Sequence, residues 1–444
     1  MHKVLLVNPW IYDFSAFDLW SKPLGLLYIA SFLEKKGCEV LLLDCLDRYD
    51  PLLLEAGITP ENRLYGTGKY HAEEIRKPGA INSIPKRFWR FGMPVSCVRN
   101  ILRRTKEVDT VLITSVMTYW YQGVFDMIGI IREELPGANI VLGGIYAQLI
   151  PDHARKRSGA DLVISDNNPC AVLQELIIGK DKCLSTEGFY NAYSPAYHLY
   201  DKHSSIAMLT SLGCPFYCSY CASHLLAKDF LFFAHEKIID EIEMYTKRLQ
   251  VQDIALYDDA LLYRAEDHFL PLFEKILEKD YRIRFHTPNG IHARFVTEDV
   301  AAMLYRSNFK TIRIGLESSN VAFQNKTGNK VYNEEVEHAV SNLLKAGFSR
   351  QEIGIYIMAG RFDQSVDDTK RTLEFVRCLG VKVFISEFSP VPGSFDWRQD
   401  AHFKNMDPLW QNNSIAFLRN GWTIEQMQKM KDIKNDINHS VVNS

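Results

Sequence analysis

Three cysteines lie close together in the stretch LTSLGCPFYCSYCASHLL, residues 209–226. They are Cys214, Cys218 and Cys221, and thiolates at this short spacing suit zinc, copper(I) or an iron–sulfur cluster. A structural zinc site needs four ligands, and His224 is available as the fourth. A cubane iron–sulfur cluster held by three thiolates instead leaves one iron open to another ligand. Apolar packing alone gives no reason for three cysteines at this spacing.

The cysteines follow the first of six predicted strands, and helical patterns separate these strands. The strands are predicted at 206–211, 253–258, 282–287, 311–317, 352–358 and 382–388. Strands that alternate with helices indicate a parallel sheet, here an open or partial α/β barrel. Ligands of such folds bind at the carboxyl ends of the strands, where the cysteine loop is expected.

The motif GCPFYCSYC, with Tyr220 just before the third cysteine, resembles the cluster motif of the radical S-adenosylmethionine superfamily. The resemblance covers about residues 205–390. It implies that Cys214, Cys218 and Cys221 hold a 4Fe–4S cluster whose free iron is chelated by S-adenosylmethionine. It further implies reductive cleavage to a 5′-deoxyadenosyl radical, with the electron supplied by a partner such as a flavodoxin or a ferredoxin.

The resemblance also implies contacts to S-adenosylmethionine from the ends of the strands. The candidate residues are Tyr220, Asp258, Asp259, Arg294, Glu317, Ile355 and Glu387. Asp258 and Asp259 stand where the family binds the methionine amino group, although the usual Gly-Gly-Glu-like sequence is absent. Arg294 can meet a carboxylate in a bidentate manner, and Glu317 resembles the ribose-contacting position. The alternatives are a helix N-cap for the two aspartates, a loop anchored by surface charge for Arg294 and an ordinary buried strand at Ile355.

An α/β pattern also precedes the cysteine region. Strands are predicted at 3–8, 39–44, 110–115, 139–144 and 161–165, and helices between them imply a parallel sheet covered on both faces. Residues of about 50–105 interrupt the pattern as a lid, a connector or a solvated excursion. The predicted domains are therefore 1–180, a linker at 181–204, a core at 205–390 and a short irregular tail at 391–444 with one helix around 423–434.

This first domain resembles the flavodoxin-like or Rossmann-like cobalamin-binding domain found before many radical S-adenosylmethionine cores. The resemblance implies that the nucleotide tail of a corinoid passes near Ser115, Gly143 and Gly144, and that Tyr146 flanks the ligand. The Asp-x-His-x-x-Gly sequence that supplies a histidine to cobalt is absent, as it is from many radical members of the family. A flavodoxin-like domain without a cofactor remains the alternative.

Composition restricts the remaining possibilities. The formal net charge of −3 argues against a general nucleic-acid binder, and no apolar run is long enough to span a membrane. The N-terminus is a poor signal peptide, so a cytoplasmic, reducing location is predicted. The other cysteines show no spacing typical of metal ligands: Cys38, Cys45, Cys97, Cys170, Cys183 and Cys378. A second cluster, as in the methylthiotransferase branch, is therefore not supported.

These observations lead to a first hypothesis and two alternatives. The first is a cobalamin-dependent radical S-adenosylmethionine methyltransferase that acts on an unactivated carbon or phosphorus of a small molecule or peptide. The second keeps the cluster but catalyses a rearrangement, cyclisation or oxidation without methyl transfer. The third is a zinc-containing or nucleotide-sensing protein.

Overall fold

The structure is a computed structural model of the chain. It describes residues 2–105, 107–166, 173, 177, 179, 184–399 and 401–443. The chain divides into two compact units. The first unit comprises Met1–Ser205 with Asp407–Trp410, and the second comprises Ile206–Met406 with Gln411–Ser444.

The first unit combines strands and helices in alternation. Its strands are Lys3–Asn8 (β1), Ile11–Asp13 (β2), Phe17–Asp18 (β3), Glu39–Asp44 (β4), Glu61–Asn62 (β5), Gly68–Lys69 (β6), Ala72–Ile75 (β7), Phe88–Phe91 (β8), Thr110–Ile113 (β9), Asn139–Leu142 (β10) and Leu162–Val163 (β11). Its helices are Leu24–Lys35 (α1), Pro51–Glu55 (α2), Val95–Arg104 (α3), Tyr121–Glu134 (α4), Gly144–Leu149 (α5), Pro151–Arg157 (α6) and Thr186–Ala192 (α7).

Five of these strands form the predicted parallel sheet, in the order β11-β10-β9-β1-β4. The central strand β1 reads KVLLVN, and the side chains of Val4–Val7 are at most 1% exposed because helices cover both faces. From β1 the chain builds the sheet first towards β4 and then in the opposite direction through β9. The strand order therefore reverses beside β1, which makes the carboxyl ends of β1 and β9 a topological switch point.

Strands of the predicted excursion between β4 and β9 pair with β2 and β3, which follow β1, in two small antiparallel sheets. One has the order β2-β8-β7 and the other β3-β6-β5. A buried ion pair joins the second sheet to the segment after β4, since the Arg48 guanidinium lies 2.7 Å from the Asp18 carboxylate. The excursion is thus an ordered part of the first unit.

The second unit has the same alternation. Its strands are Ile206–Met208 (β12), Ser211–Leu212 (β13), Leu231–Phe232 (β14), Asp253–Leu256 (β15), Arg284–His286 (β16), Phe309–Glu317 (β17), Ile353–Ala359 (β18) and Lys382–Glu387 (β19). Its helices are Ser223–Leu226 (α8), His235–Lys247 (α9), Phe269–Leu277 (α10), Glu298–Arg306 (α11), Val321–Lys326 (α12), Asn333–Ala346 (α13), Val366–Leu379 (α14), Phe395–Gln399 (α15), Ala401–Lys404 (α16), Asn413–Ala416 (α17) and Ile424–Asn443 (α18).

Six strands of this unit form one sheet in sequential order, β12-β15-β16-β17-β18-β19, and all neighbours are parallel. The predicted α/β class with a six-strand partial barrel is therefore confirmed. Each strand ends at the same edge of the sheet, so the loops that follow the strands share one face. The β13–β14 ribbon is antiparallel and lies outside this sheet.

The tail is more helical than predicted, because α18 continues to Asn443 and not only to about residue 434. Its buried side chains are Met427, Met430, Ile437 and Val441, which recur at helical spacing. The side-chain amide of Asn438 accepts from Val383 N at 2.8 Å and donates to Val383 O at 2.9 Å. This amide satisfies backbone groups on the outer side of the edge strand β19, which would otherwise be open to pairing with another strand.

We predict that two glycines of α4 respond in opposite directions to the same substitution. A Cβ at Gly123 would meet the Trp10 carbonyl oxygen, whereas a Cβ at Gly129 meets nothing within 4 Å. Gly123→Ala should lower the free energy of unfolding by about 1–3 kcal/mol through overpacking. Gly129→Ala, on the exposed side of the same helix, should raise it by up to about 1 kcal/mol. Urea unfolding followed by circular dichroism tests this, and equal effects at both positions would contradict the close α4–Trp10 approach.

Candidate functional site

The three motif cysteines lie in one loop after β13. Cys218 is buried, and Cys214 and Cys221 are half-buried. Inside the loop the Cys221 amide donates to the Cys218 carbonyl at 3.0 Å, and the Ser219 amide donates to the Thr327 carbonyl at 3.2 Å. The loop is therefore held both by itself and by the segment that follows α12.

The thiols affect one another electrostatically. Burial, with smaller contributions from Asp259 and the other two cysteines, raises the pKa of the Cys214 thiol to about 11. Burial also raises the pKa of Cys218, while the nearby Lys330 opposes that rise. Thiolates are the metal-binding form of cysteine, so three thiols grouped beside a carboxylate require a compensating positive charge. A bound iron–sulfur cluster and Lys330 are both suited to provide it.

Lys330 is the functional candidate that sequence reasoning missed. Its side chain is 16% exposed, and its Nζ lies 3.4 Å from Glu317 Oε1 at the end of β17. Burial opposes the charge, but Glu317, Cys218 and Cys221 together raise the pKa of Lys330 overall. A Cβ on Gly315 would lie 2.8 Å from Nζ, so a side chain at this point of β17 would require the end of the lysine to shift. No motif marks Lys330, because its partners are distant in the sequence and meet only in the fold.

Glu317 lies where the sequence analysis placed a ribose contact. Its φ of +66° is in the left-handed region, which is uncommon for a residue other than glycine. Such backbone strain concentrates at functional sites. The following residue, Ser318, is fully buried. Glu317 and Lys330 thus form a charged pair at the carboxyl edge, directly beside the cysteine loop.

The two predicted aspartates have different surroundings. Asp258 is buried and accepts hydrogen bonds from Thr210 N at 3.0 Å, Thr210 Oγ1 at 2.8 Å and Ser211 Oγ at 2.6 Å. Its carboxylate therefore holds the chain just before the cysteine loop. Asp259 faces the loop itself: burial raises its pKa, and Ser223 and Lys330 offset part of that rise. The hydroxyl of Ser223 also lies 3.3 Å from Cys221 Sγ.

Arg294 and Tyr220 have different supporting contacts in this region. The Arg294 guanidinium donates to the Asn329 carbonyl at 2.6 Å, and its Nε lies 3.3 Å from Glu335 Oε1. These contacts fix the residue that precedes Lys330. Tyr220 packs against Phe323, Met358 and Phe388 in a small apolar cluster. Burial places the pKa of Tyr220 well above its usual value, and Glu317 and Cys218 raise it further.

Ile355 and Glu387 are less closely tied to the cysteines. The side chain of Ile355 is fully buried in the core, and its strand pairs on both sides, with Ile314 and with Val383. Glu387 ends β19, and its carboxylate lies 2.7 Å from the Lys431 ammonium on α18. The structure therefore groups the cysteines, Tyr220, Asp259, Glu317 and Lys330, with Asp258 and Arg294 as supports.

The first unit has a cleft of its own at the topological switch point. Its lining comes from the end of β1, from the segments that follow β1, β4 and β9, and from the segment before α1. The lining residues are Asn8, Pro9, Trp10, Ile11, Ser21, Lys22, Pro23, Leu46, Ser115, Val116 and Trp120. The Ser115 hydroxyl donates to the Met117 carbonyl at 3.2 Å. The indole of Trp120 donates to the Asp13 carboxylate at 2.7 Å, so this wall of the cleft is fixed.

The glycine pair after β10 approaches the same strand end. Gly144 has a φ of +83°, and a Cβ there would lie 2.5 Å from Thr114 Oγ1, so the position favours glycine. Gly143 has open space around a Cβ. The Tyr146 side chain is fully buried, and its hydroxyl lies 2.7 Å from His153 Nδ1. The structure therefore places Tyr146 in the packing of α5 against α6, where its hydroxyl fixes His153.

The other thiols are separate from the motif. Cys45 and Cys97 are buried, Cys38 is half-buried and Cys378 is exposed. Cys170 and Cys183 lie outside the described residues. No group of three or more His, Cys, Asp or Glu side chains in the described part of the chain has the arrangement of a metal-ion site. No helix in that same part is long and apolar enough to cross a membrane.

Comparison with curated proteins gives partial sequence similarity. The bacteriochlorophyllide d C-12(1)-methyltransferase of Chlorobaculum tepidum is 26% identical over 224 residues, which cover 46% of this chain and 47% of that protein. The threonylcarbamoyladenosine tRNA methylthiotransferase MtaB of Thermotoga maritima is 25% identical over 340 residues, or 73% of this chain and 72% of that protein. The chain spans about half the length of the first of these relatives.

Solved structures with the same fold cover most of the chain. The radical S-adenosylmethionine methyltransferase TsrM of Kitasatospora setae, solved with cobalamin and a 4Fe–4S cluster, has a TM-score of 0.64 and 15% identity over 90% of this chain and 78% of its own. The cobalamin-dependent radical enzyme OxsB has a TM-score of 0.61 and 14% identity over 92% of this chain and 56% of its own. Residues 208–376 match the sequence model of the Radical SAM superfamily, and this segment contains the cysteine loop and the Glu317–Lys330 pair. Residues 208–376 are therefore a radical S-adenosylmethionine domain.

Proposed function

We propose that the protein is a cobalamin-dependent radical S-adenosylmethionine enzyme that transfers a methyl group to an unactivated carbon or phosphorus of a small molecule or peptide. The observation that carries the proposal is the group of three thiols beside the half-buried Lys330–Glu317 pair. The switch-point cleft of the first unit supports the cobalamin part of the proposal.

The residues fit the cofactors that the superfamily implies. Cys214, Cys218 and Cys221 would hold a 4Fe–4S cluster, since three soft thiolates leave one iron for S-adenosylmethionine. When both are bound, the cluster supplies an electron for cleavage of the sulfonium and formation of a 5′-deoxyadenosyl radical. The protein itself would bind and orient the cofactors and the substrate and would exclude water from the site, which is the usual role of the protein in cofactor chemistry.

Lys330 and Glu317 would bind the polar groups of S-adenosylmethionine. The Lys330 ammonium is opposite in charge to a carboxylate, and its side chain is only 16% exposed, so a contact there is stronger than the same contact in full solvent. The Glu317 carboxylate suits hydroxyl donors such as those of a ribose. Asp259 directly follows Asp258 in the chain and lies near Lys330. Its carboxylate would accept a hydrogen bond from the methionine amino group.

The first unit would hold the corinoid at its switch point. Gly143 leaves open space and Gly144 brings the backbone against Ser115, which together form a cradle that a larger side chain would fill. His153 is engaged by Tyr146, in keeping with binding that uses no histidine from an Asp-x-His-x-x-Gly sequence. A bound corinoid would supply the methyl group that is transferred.

A second candidate keeps the radical chemistry but omits methyl transfer, and it would catalyse a rearrangement, cyclisation or oxidation. It is favoured by the fold match to OxsB, which is described as a cobalamin-dependent radical enzyme and not by methyl transfer. Counting products separates the two candidates. Methyl transfer yields S-adenosylhomocysteine in addition to 5′-deoxyadenosine, whereas the second candidate yields only the latter.

We predict that iron binding depends on the three motif cysteines alone. Anaerobically reconstituted wild-type protein should contain about four irons per chain. Cys214→Ala, Cys218→Ala and Cys221→Ala should each lose most of that iron and the broad visible absorption. Cys378→Ala, which changes an exposed thiol, is the matched control and should retain both. Iron retained in all three motif variants, or zinc found in place of iron, would contradict the assignment.

Lys330→Met should weaken the binding of S-adenosylmethionine to the reconstituted protein by about 10- to 100-fold. This follows from about 1.5–3 kcal/mol for a hydrogen bond to a charged group. Lys326→Met removes an exposed lysine from the same stretch of chain and should leave the affinity unchanged. Equilibrium dialysis with labelled S-adenosylmethionine measures both. Similar affinities for wild type and Lys330→Met would remove Lys330 from the site.

A leucine at Gly143 is expected to block the corinoid without unfolding the protein. The open space around Gly143 tolerates a side chain, but that space is where the nucleotide tail is proposed. Gly143→Leu should therefore bind hydroxocobalamin about tenfold more weakly at an unchanged melting temperature. Gly137→Leu, in an exposed turn before β10 that also leaves space for a Cβ, should bind normally. Equal corinoid binding by both variants would argue against this cradle.

A further inference from the structure

We infer that one face of the six-strand sheet binds an oxyanion of the substrate, a carboxylate or a phosphate, through the side chains of Arg313 and Lys382. The inference rests on the proposed function and deepens it, since it names the class of molecule on which the enzyme would act. We use the name basic face for Arg313, Gly354, Tyr356, Lys382 and Phe384. These five residues lie on three neighbouring strands, β17, β18 and β19.

The first observation is that the strand register brings the two cations to one side of the sheet. Arg313 pairs in register with Gly354, and Gly354 pairs in turn with Lys382. Such partners point to the same face, whereas their chain neighbours point to the other face. The neighbours Ile312 and Val383 are fully buried, and helices α13 and α14 pack on these strands. The basic face is therefore the face opposite the helices.

The second observation is that the Arg313 guanidinium is held in a fixed position over a glycine. A Cβ at Gly354 would lie 3.1 Å from Arg313 Nη1 and 2.5 Å from the Phe384 ring. The Arg313 Cζ lies 4.4 Å from the centre of that ring, within the range of a cation–π contact. A guanidinium that is positioned before the ligand arrives loses less conformational entropy on binding.

The third observation is that these two cations have no acidic partner. In the described part of the chain no carboxylate forms an ion pair with Arg313 or Lys382, and none contributes to their pKa shifts. Burial lowers the pKa of Arg313, and burial together with Arg313 lowers the pKa of Lys382. Arg313 Nη1 donates to the carbonyls of Ile312 and Glu352, at 3.0 and 3.5 Å, which satisfies that nitrogen without neutralising the charge.

The carboxylates on the surrounding elements are each held by other groups. The pairs are Asp253 with Arg284, Glu317 with Lys330, Glu352 with Ser349, and Glu387 with Lys431. The basic face therefore carries two half-buried positive charges that no described carboxylate neutralises. Partial burial of an unpaired charge costs free energy, and an anionic ligand removes that cost.

An oxyanion is the ligand that this surface fits. The planar guanidinium of Arg313 can donate two parallel hydrogen bonds to a carboxylate or a phosphate, and Lys382 adds a second positive charge. Arg313 precedes Glu317 by four residues on β17, which corresponds to at most about 13 Å along an extended strand. The anion would thus be bound away from the cysteine loop. The substrate is expected to carry its oxyanion at a distance from the atom that reacts.

The test measures anion binding by the full-length reconstituted protein in chloride buffer. Labelled inorganic phosphate and labelled acetate are the probes, and equilibrium dialysis is the measurement. Arg313→Met should weaken the binding of the preferred anion by about 10- to 100-fold, and Lys382→Met by about threefold. Arg350→Met is the matched control and should bind as wild type does. Arg350 also donates to a backbone carbonyl, that of Leu379 at 2.8 Å, but it is exposed.

Two further measurements give the result its meaning. Tighter binding of phosphate assigns a phosphate to the substrate, and tighter binding of acetate assigns a carboxylate. Arg313→Met should retain the wild-type affinity for S-adenosylmethionine, in contrast to Lys330→Met. Arg313→Lys keeps the charge and should bind the anion more tightly than Arg313→Met does.

The opposite results overturn the inference. Equal anion binding by wild type and Arg313→Met, or no binding of either anion by wild type, would remove the basic face as a binding site. Equal losses in Arg313→Lys and Arg313→Met would show disrupted packing and not a lost charge. A lower affinity of Arg313→Met for S-adenosylmethionine would place Arg313 in the cofactor site. If wild type cleaves no S-adenosylmethionine with dithionite while anion binding still depends on Arg313, the proposed function fails and the anion site stands.

Discussion

The grouping of three thiols, one buried and two half-buried, next to carboxylates is the interaction on which the site of the second unit depends. Thiolates and carboxylates in a low-dielectric site repel one another, and burial disfavours their charged forms. Lys330 reduces that cost from within the protein, and a bound cluster would reduce it further. The arrangement accounts for a half-buried lysine beside Glu317, and the missing side chain at Gly315 leaves its ammonium unobstructed.

The supporting contacts follow from the same requirement for a fixed loop. Asp258 binds the chain before the first cysteine, Arg294 fixes the residue before Lys330, and Asp396 binds Ser219 inside the motif. Arg294 is held in turn by Glu335, and Asp396 by Arg361. The loop is therefore positioned by contacts from three other segments, as expected where reacting groups must keep their geometry.

The first unit has its cleft at the carboxyl edge of its own parallel sheet. Its strand order reverses beside β1, which opens a cleft at the carboxyl ends of β1 and β9. Gly144 then lets the chain after β10 approach Ser115 closely. Hydrogen bonds of Trp120 to Asp13 and of Trp10 to Met93 fix the aromatic wall. The cleft is thus a product of topology, and its polar lining comes from the segments just after the strands.

The sequence by itself determined the class and the order of the elements. The apolar runs of β1, β4 and β17 are short and end in polar residues, so their periodicity reveals strands and their alternation with helices reveals parallel sheets. The spacing of Cys214, Cys218 and Cys221 is a local feature, so it can be recognised from the sequence alone. The tail helix was underestimated because its anchor, the pairing of Asn438 with Val383, joins residues far apart in the chain.

Only the tertiary structure decided which charged residues share the site. Lys330 has no local sequence signature. Its role depends on Glu317 and the cysteines, which lie near it only in the folded second unit. The partners of two other residues also became known only from the fold. Asp258, a predicted ligand contact, binds Thr210 and Ser211. Tyr146, a residue predicted to flank the ligand, is buried with its hydroxyl against His153. Burial and long-range hydrogen bonds decide such roles, and both are properties of packed elements that the order of residues along the chain does not display.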